Sequence, residues 1–212
     1  MEIMKKSRIN SGIYLVIDPS EPLQETIDKL NKLLEEGLAA VQIWDNFKKT
    51  PDLKNYIKEI KKVCKDHDTP LLINNQKKLF AELALDGIHF DEIPRDFDRI
   101  KSNVPNNRIF GLTVNNDLET IKEAIDYGFD YLSFCTIFPS QTNNSCELVD
   151  PKIVKKAAEI TDVPIFLSGG ITTKNINDLD DLPYYGIAIV SGIMGSEDPV
   201  DALKNYKKKL KK

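Results

Sequence analysis

The chain has 212 residues, with 29 Lys and Arg against 33 Asp and Glu, a formal net charge of −4 and 41% hydrophobic residues. That is enough apolar content over enough length to bury one full core, and it excludes whole-chain disorder, collagen and coiled coil. No run approaches the roughly 18 to 20 apolar residues of a membrane span, the first residues lack the apolar stretch of a signal peptide, and the acidic balance argues against a general nucleic-acid surface.

The expectation is therefore a cytoplasmic protein with no membrane or nucleic-acid partner, leaving room for a homo-oligomer. Cys64, Cys135 and Cys146 fall at spacings that match no zinc or redox motif and read as reduced thiols. Short runs rich in Ile, Val, Leu and Phe alternate along the chain with longer stretches whose apolar residues recur at three and four. In chain order this predicts strand 12–17, helix 23–36, strand 39–43, helix 51–66, strand 70–74 and helix 76–83. Strand 87–90, helix 96–101, strand 109–113, helix 117–127, strand 131–135 and helix 151–160 follow. The last units are strand 164–168, helix 173–179, strand 186–190 and helix 198–210. In the first helix Leu23, Ile27, Leu30, Leu33 and Leu34 form one apolar stripe. Asp150-Pro151 and Asp198-Pro199 each place a capping Asp before a Pro suited to the first helical position, and Gly37 and Gly128 mark helix ends. The six lysines among the last nine residues suit the end of the last helix, where cations complement the dipole.

Near-continuous apolar strands joined by helical crossovers imply a parallel sheet covered by helices. Eight units favour an α/β fold of the (β/α)8 TIM-barrel type, a single compact domain over 1–212, rather than an open doubly wound sheet. The turn after the first strand, Asp18-Pro19-Ser20-Glu21-Pro22, carries no dinucleotide fingerprint. At about 26 residues per unit the barrel is near the lower size limit of the fold, so its chemistry must come from strand ends and short loops.

Strand seven ends in Ser168-Gly169-Gly170-Ile171 and strand eight in Val190-Ser191-Gly192-Ile193. Paired Gly loops at these two strands are where such barrels hold a phosphate, because backbone N–H groups can approach its oxygens; tight turns alone would also use glycine. The other strand ends carry Gln42, Trp44, Asp45, Asn46, Asn74, Asn75, His89, Asp91, Glu92, Thr113 and Asn115, a rim richer in amides and hydroxyls than in charge. Such a rim suits recognition of a polar ring more than acid–base work. Acid or base candidates are Asp91 and His89, with Asp45 and Glu92 nearby; His89 also reads as a packed, hydrogen-bonded core histidine. Trp44 suits either stacking on a ring or packing at the barrel top. Cys135, between Phe134 and Thr136, reads as a buried, inert thiol.

Taken in order, Gly12-Ile13-Tyr14-Leu15-Val16-Ile17-Asp18, Ala40-Val41-Gln42, Pro70-Leu71-Leu72-Ile73-Asn74, Asp86-Gly87-Ile88-His89, Gly111-Leu112-Thr113, Ile137-Phe138-Pro139-Ser140, Ser168-Gly169-Gly170-Ile171 and Val190-Ser191-Gly192-Ile193 resemble thiamine phosphate synthase and its thiazole tautomerase relatives. The resemblance covers nearly the whole chain. It implies a phosphate-binding barrel of thiamine biosynthesis, a transferase that joins a pyrimidine methyl diphosphate to a thiazole phosphate and releases pyrophosphate with the help of Mg²⁺. It further implies that Gly169, Gly170, Ser191 and Ile193 hold the thiazole phosphate, assisted by Ser140 and Thr142. Gln42, Asn74 and Thr113 would contact the pyrimidine and its diphosphate.

Departures from the family pattern fall at Trp44 and Asn46 in place of Arg and Lys, Asn75 and Gln76 in place of Asp and Arg, Pro94 in place of Asp, and Asn143 in place of Lys. Lys48 or Lys49 could replace a cation, and Asp91 with Glu92 could supply carboxylates to a metal, although all four also read as solvated loop charges. These exchanges point to weak or lost activity. The alternatives are a non-catalytic binder of thiazole or thiamine phosphate and a metal-independent isomerase of the tautomerase type. The isomerase would need a histidine where this chain has Asn115.

Overall fold

The computed structural model describes residues 9–48, 50–139 and 147–210. Eight strands, β1 Gly12–Ile17, β2 Ala40–Ile43, β3 Leu71–Asn74, β4 Gly87–Phe90, β5 Ile109–Val114, β6 Tyr131–Cys135, β7 Ile165–Ser168 and β8 Gly186–Ile189, close into one barrel in sequence order. Every neighbouring pair is parallel, including β1 with β8, where Gly12 pairs with Gly186 and Leu15 with Ile189. This is the expected (β/α)8 architecture.

The outer layer consists of α1 Leu23–Glu35, α2 Leu53–Asp66, α3 Lys77–Glu82, α4 Phe97–Ser102, α5 Leu118–Tyr127, α6 Pro151–Ile160, α7 Ser191–Met194 and α8 Pro199–Lys209. Capping chemistry sets several starts. The carboxylates of Asp52, Asp117, Asp150 and Asp198 accept from the backbone N–H groups of Asn55, Glu119, Lys152 and Asp201 at 2.8–3.1 Å. Pro151 and Pro199 occupy first-turn positions as expected. Gly37 and Gly128 lie past helix ends at φ +82° and +73°, the left-handed region. At the far end of α8, Lys207 donates to the Glu36 carbonyl at the close of α1. Thus the last helix is clasped to the first.

Two expectations are corrected. The helix expected over 173–179 is only a 3-10 turn, Ile176–Leu179. Its would-be first turn is diverted by Asn175, whose side chain accepts from Thr172 N–H at 2.7 Å and donates to the Gly170 carbonyl at 2.9 Å. Conversely, Ser191–Met194 forms the short helix α7 directly after β8, inside what the sequence presents only as a loop.

The apolar interior has two parts. Between strands and helices lies a continuous layer that includes Leu30, Leu33 and Leu34 of α1, each fully or nearly fully buried, with Leu23 and Ile27 partly covered. Burying such side chains contributes about 1.5–3 kcal/mol each, so this layer is what holds the helices on. Inside the barrel sits a smaller, separate cluster of Ile9, Tyr14, Ala39, Ala40, Leu72, Ile109, Tyr131, Phe166 and Ala188. Tyr14, Tyr131 and Phe166 pack edge-on or tilted with ring centroids 5.5–5.8 Å apart. Gly111 on β5 makes this possible, since a Cβ there would overlap the Tyr131 ring.

Candidate functional site

Above that aromatic floor, at the C-terminal ends of the strands, opens a cavity of about 910 Å³. The period-two alternation of each strand decides which side chains enter it. Gln42 of β2, Asn74 of β3, His89 of β4 and Thr113 of β5 all occupy inward positions and line it, with Asp91, Glu92 and Asn115 just beyond the strand ends. Gly169, Gly170, Ser191 and Gly192 line the opposite wall. Most residues expected to contact substrate are therefore brought to one place. Asn75 is adjacent rather than lining, and its side-chain amide donates to Asp91 at 2.7 Å. Ile193 has its side chain fully buried, which leaves its backbone as the part that can serve the loop. Ser140, Thr142, Asn143 and Lys49 lie outside the described residues. Lys48 is exposed and lines no part of the cavity, which agrees with its reading as a solvated loop charge and not as a cation reaching inward.

The Gly wall is built by close approach. Gly169 and Gly170 adopt φ +87° and +69°, and a Cβ on Gly170 would overlap the Phe138 carbonyl. The segment after β6 is zipped onto this loop by Ile137 N–H to the Ser168 carbonyl at 2.9 Å and Phe138 N–H to the Gly169 carbonyl at 3.0 Å. The short helix α7 begins at Ser191, and its first two residues, Ser191 and Gly192, line the same cavity.

The floor is a hydrogen-bond network. His89 is 5% exposed, with Nδ1 2.8 Å from the Tyr131 hydroxyl and Nε2 2.8 Å from Thr113 Oγ1. Tyr131 lies 2.8 Å from the Tyr14 hydroxyl, and Tyr14 donates to Gln42 Oε1. Gln42 Nε2 donates to Asn74 Oδ1 at 3.4 Å, and Asn74 Nδ2 to Asp91 Oδ1 at 3.1 Å. Burial pushes the His89 imidazole down to about 4 and both phenols upward, so at neutral pH these groups are uncharged. His89 is thus both the packed, satisfied histidine and a cavity-lining group. Tyr14 and Tyr131 were not among the residues expected at the site. Their signal in sequence is only an aromatic at an inward strand position, which core packing explains equally well. Cys135 is half-buried and lines the cavity, a correction to the fully buried thiol expected. Trp44 lines the rim, and Asn46 donates to both Asp18 oxygens at 3.0 and 3.2 Å, tying the first loop to the second.

As placed, the rim residues do not fit a protein-held Mg²⁺. Both Asp91 oxygens accept amide N–H bonds, from Asn74 and from Asn75. Asn75 Nδ2 lies 2.7 Å from Asp91 and 3.2 Å from Asp45, so an N–H donor occupies the space that a shared cation would take. Among the described residues no three His, Cys, Asp or Glu side chains converge on a metal position. No helix among them is long and apolar enough to cross a membrane.

The family model described as thiamine monophosphate synthase matches residues 13–193. A thiamine-phosphate synthase of Hydrogenobaculum is 31% identical over 205 residues, covering 95% of this chain and 94% of that protein. One from Methanobrevibacter smithii is 25% identical, covering 97% and 98%. Among solved structures, a thiamine phosphate pyrophosphorylase from Pyrococcus furiosus superposes with a TM-score of 0.78 at 22% identity, over 95% of this chain and 96% of that one. The barrel and the matched span together place this chain in the thiamine monophosphate synthase family.

Proposed function

We infer that the cavity takes a phosphorylated thiazole and a pyrimidine methyl diphosphate and joins them, but with slow turnover. In that reaction the C–O bond to the diphosphate breaks, its electron pair leaves with pyrophosphate, and the thiazole nitrogen lone pair forms the new C–N bond. The Gly169-Gly170 loop and the Ser191 backbone would receive the thiazole phosphate. Gln42, Asn74 and Thr113 would orient the pyrimidine. His89 supplies no acid at neutral pH, which suits a substitution needing leaving-group electrostatics more than proton transfer.

The single observation that carries the low turnover is the charge of the wall. Among the described residues lining the cavity there are three carboxylates, Asp91, Glu92 and Glu147, and no Lys or Arg. Such a wall favours the positive charge that develops on the pyrimidine methyl carbon and persists on the thiazolium product. Among the described residues it offers the departing diphosphate no cation. Losing one preorganised contact to a developing anion costs about 3–4 kcal/mol, a factor of hundreds in rate. Trp44, Asn46, Asn75 and Pro94 stand where the family pattern places charged residues, which agrees with this reading.

The same wall favours a second reading, a binder of thiamine phosphate that does not turn over. Pyrophosphate release from the two substrates at high enzyme concentration, with and without Mg²⁺, separates the two. Slow, enzyme-proportional release of pyrophosphate with equimolar thiamine phosphate supports joining. Calorimetric binding of thiamine phosphate with no release supports the binder, and absence of both overturns the assignment of the cavity.

A further inference from the structure

The polar floor runs in one direction, and its direction is set at the rim. An ionised carboxylate only accepts, so Asn74 must turn its Nδ2–H toward Asp91 and its Oδ1 toward Gln42. Gln42 therefore points Nε2–H at Asn74 and leaves Oε1 for Tyr14, whose hydroxyl donates to it. A phenol has one proton. With that proton spent on Gln42, Tyr14 can only accept from Tyr131, and Tyr131, its own proton spent, can only accept from His89 Nδ1–H. Among the described residues no carboxylate hydrogen-bonds to the imidazole, so the buried ring carries one N–H, and Nε2 is left as a lone pair. The Thr113 hydroxyl, 2.8 Å away, must donate to it.

We propose that this chain of bonds, anchored at Asp91 and relayed by Tyr14 and Tyr131, fixes His89 as the Nδ1–H tautomer and leaves Thr113 an acceptor-only group toward the cavity. Tyr14 and Tyr131 are positioning residues, acting on Thr113 through His89.

The chain has two histidines, His67 and His89, so imidazole ¹⁵N spectra of histidine-labelled protein, assigned with His67→Gln, read His89 directly. The expected result at pH 7 is protonated Nδ1 and lone-pair Nε2. Tyr131→Phe removes the acceptor for Nδ1–H, and the Nε2–H tautomer should then become the major form. Asp91→Asn, at the exposed rim, removes the acceptor-only anchor and should produce a mixture of the two. An Nε2–H tautomer in the unmodified protein, or no change in both variants, overturns the relay.

Discussion

Asn75 places its side-chain nitrogen 2.7 Å from a carboxylate oxygen of Asp91, and Asp91 returns its backbone N–H to Asn75 Oδ1 at 3.1 Å. The pair is closed on itself, and Asp45 is drawn to the same amide nitrogen at 3.2 Å. One neutral amide thus bridges two carboxylates.

Asn75→Asp should turn this arrangement inside out. It removes the bridging donor and brings a third carboxylate beside Asp45 and Asp91, so the variant should be less stable than the parent in metal-free buffer. Mn²⁺ should then restore it, by about 2.7 kcal/mol at a concentration one hundredfold above its dissociation constant. Thermal unfolding with and without Mn²⁺ checks this. An equal Mn²⁺ response in the unmodified protein would show that the Asn75 amide does not bar the cation.

Gly170→Ala tests the phosphate wall. Its φ of +69° and the overlap a Cβ would make with the Phe138 carbonyl should cost about 1–3 kcal/mol of stability. The displaced loop should lower affinity for thiamine phosphate at least tenfold by calorimetry. Unchanged affinity would move the phosphate elsewhere.

Gly111→Ala acts on the floor instead. A Cβ there would overlap the Tyr131 ring, and the overpacking should cost about 1–3 kcal/mol. Because Tyr131 must shift, its contact with His89 should be lost as well. The variant should reproduce the tautomer change of Tyr131→Phe without touching a polar atom, which ¹⁵N spectra would show.

The depressed His89 value has a signed consequence for stability. Folded His89 resists protonation down to about 4, whereas the unfolded chain takes up that proton near 6.5. Its contribution is therefore fully present above pH 6.5 and is lost as pH falls from 6.5 toward 4, by about 3 kcal/mol in all. Denaturant unfolding at pH 7 and pH 4.5 should show a steeper loss for the parent than for His89→Gln. Parallel curves would mean that another group governs the acid limb.

How much of this was legible beforehand follows the range of the interactions. The strands were readable because alternation and apolar runs are local, and the cap at Asp150-Pro151 is local too. The 3-10 turn at Ile176 and the helix at Ser191 were missed because each depends on a few residues whose environment decides between turn and helix; Asn175 alone, bridging Thr172 and Gly170, tips the first. Gln42, Asn74 and Thr113 could be placed at the rim because they fall at the C-terminal ends of the predicted strands. The relay could not, since Tyr14 and Tyr131 are separated by 117 positions and only barrel closure brings their hydroxyls together. For Asp91 the residue type suggested a metal ligand, yet its two amide partners come from β3 and the turn after it.

The inner cluster of Tyr14, Tyr131 and Phe166 has a consequence for how such a protein can change over generations. Its rings are at once the plug that fills the barrel and the bedrock on which the polar groups stand. A lineage acquiring a new ligand cannot reshape that bedrock piecemeal, because each change in volume would be felt by the fold and by the orientation of His89 together. Novelty is confined to the rim, where Trp44, Asn46 and Asn75 can be exchanged one at a time while the barrel beneath them stays intact.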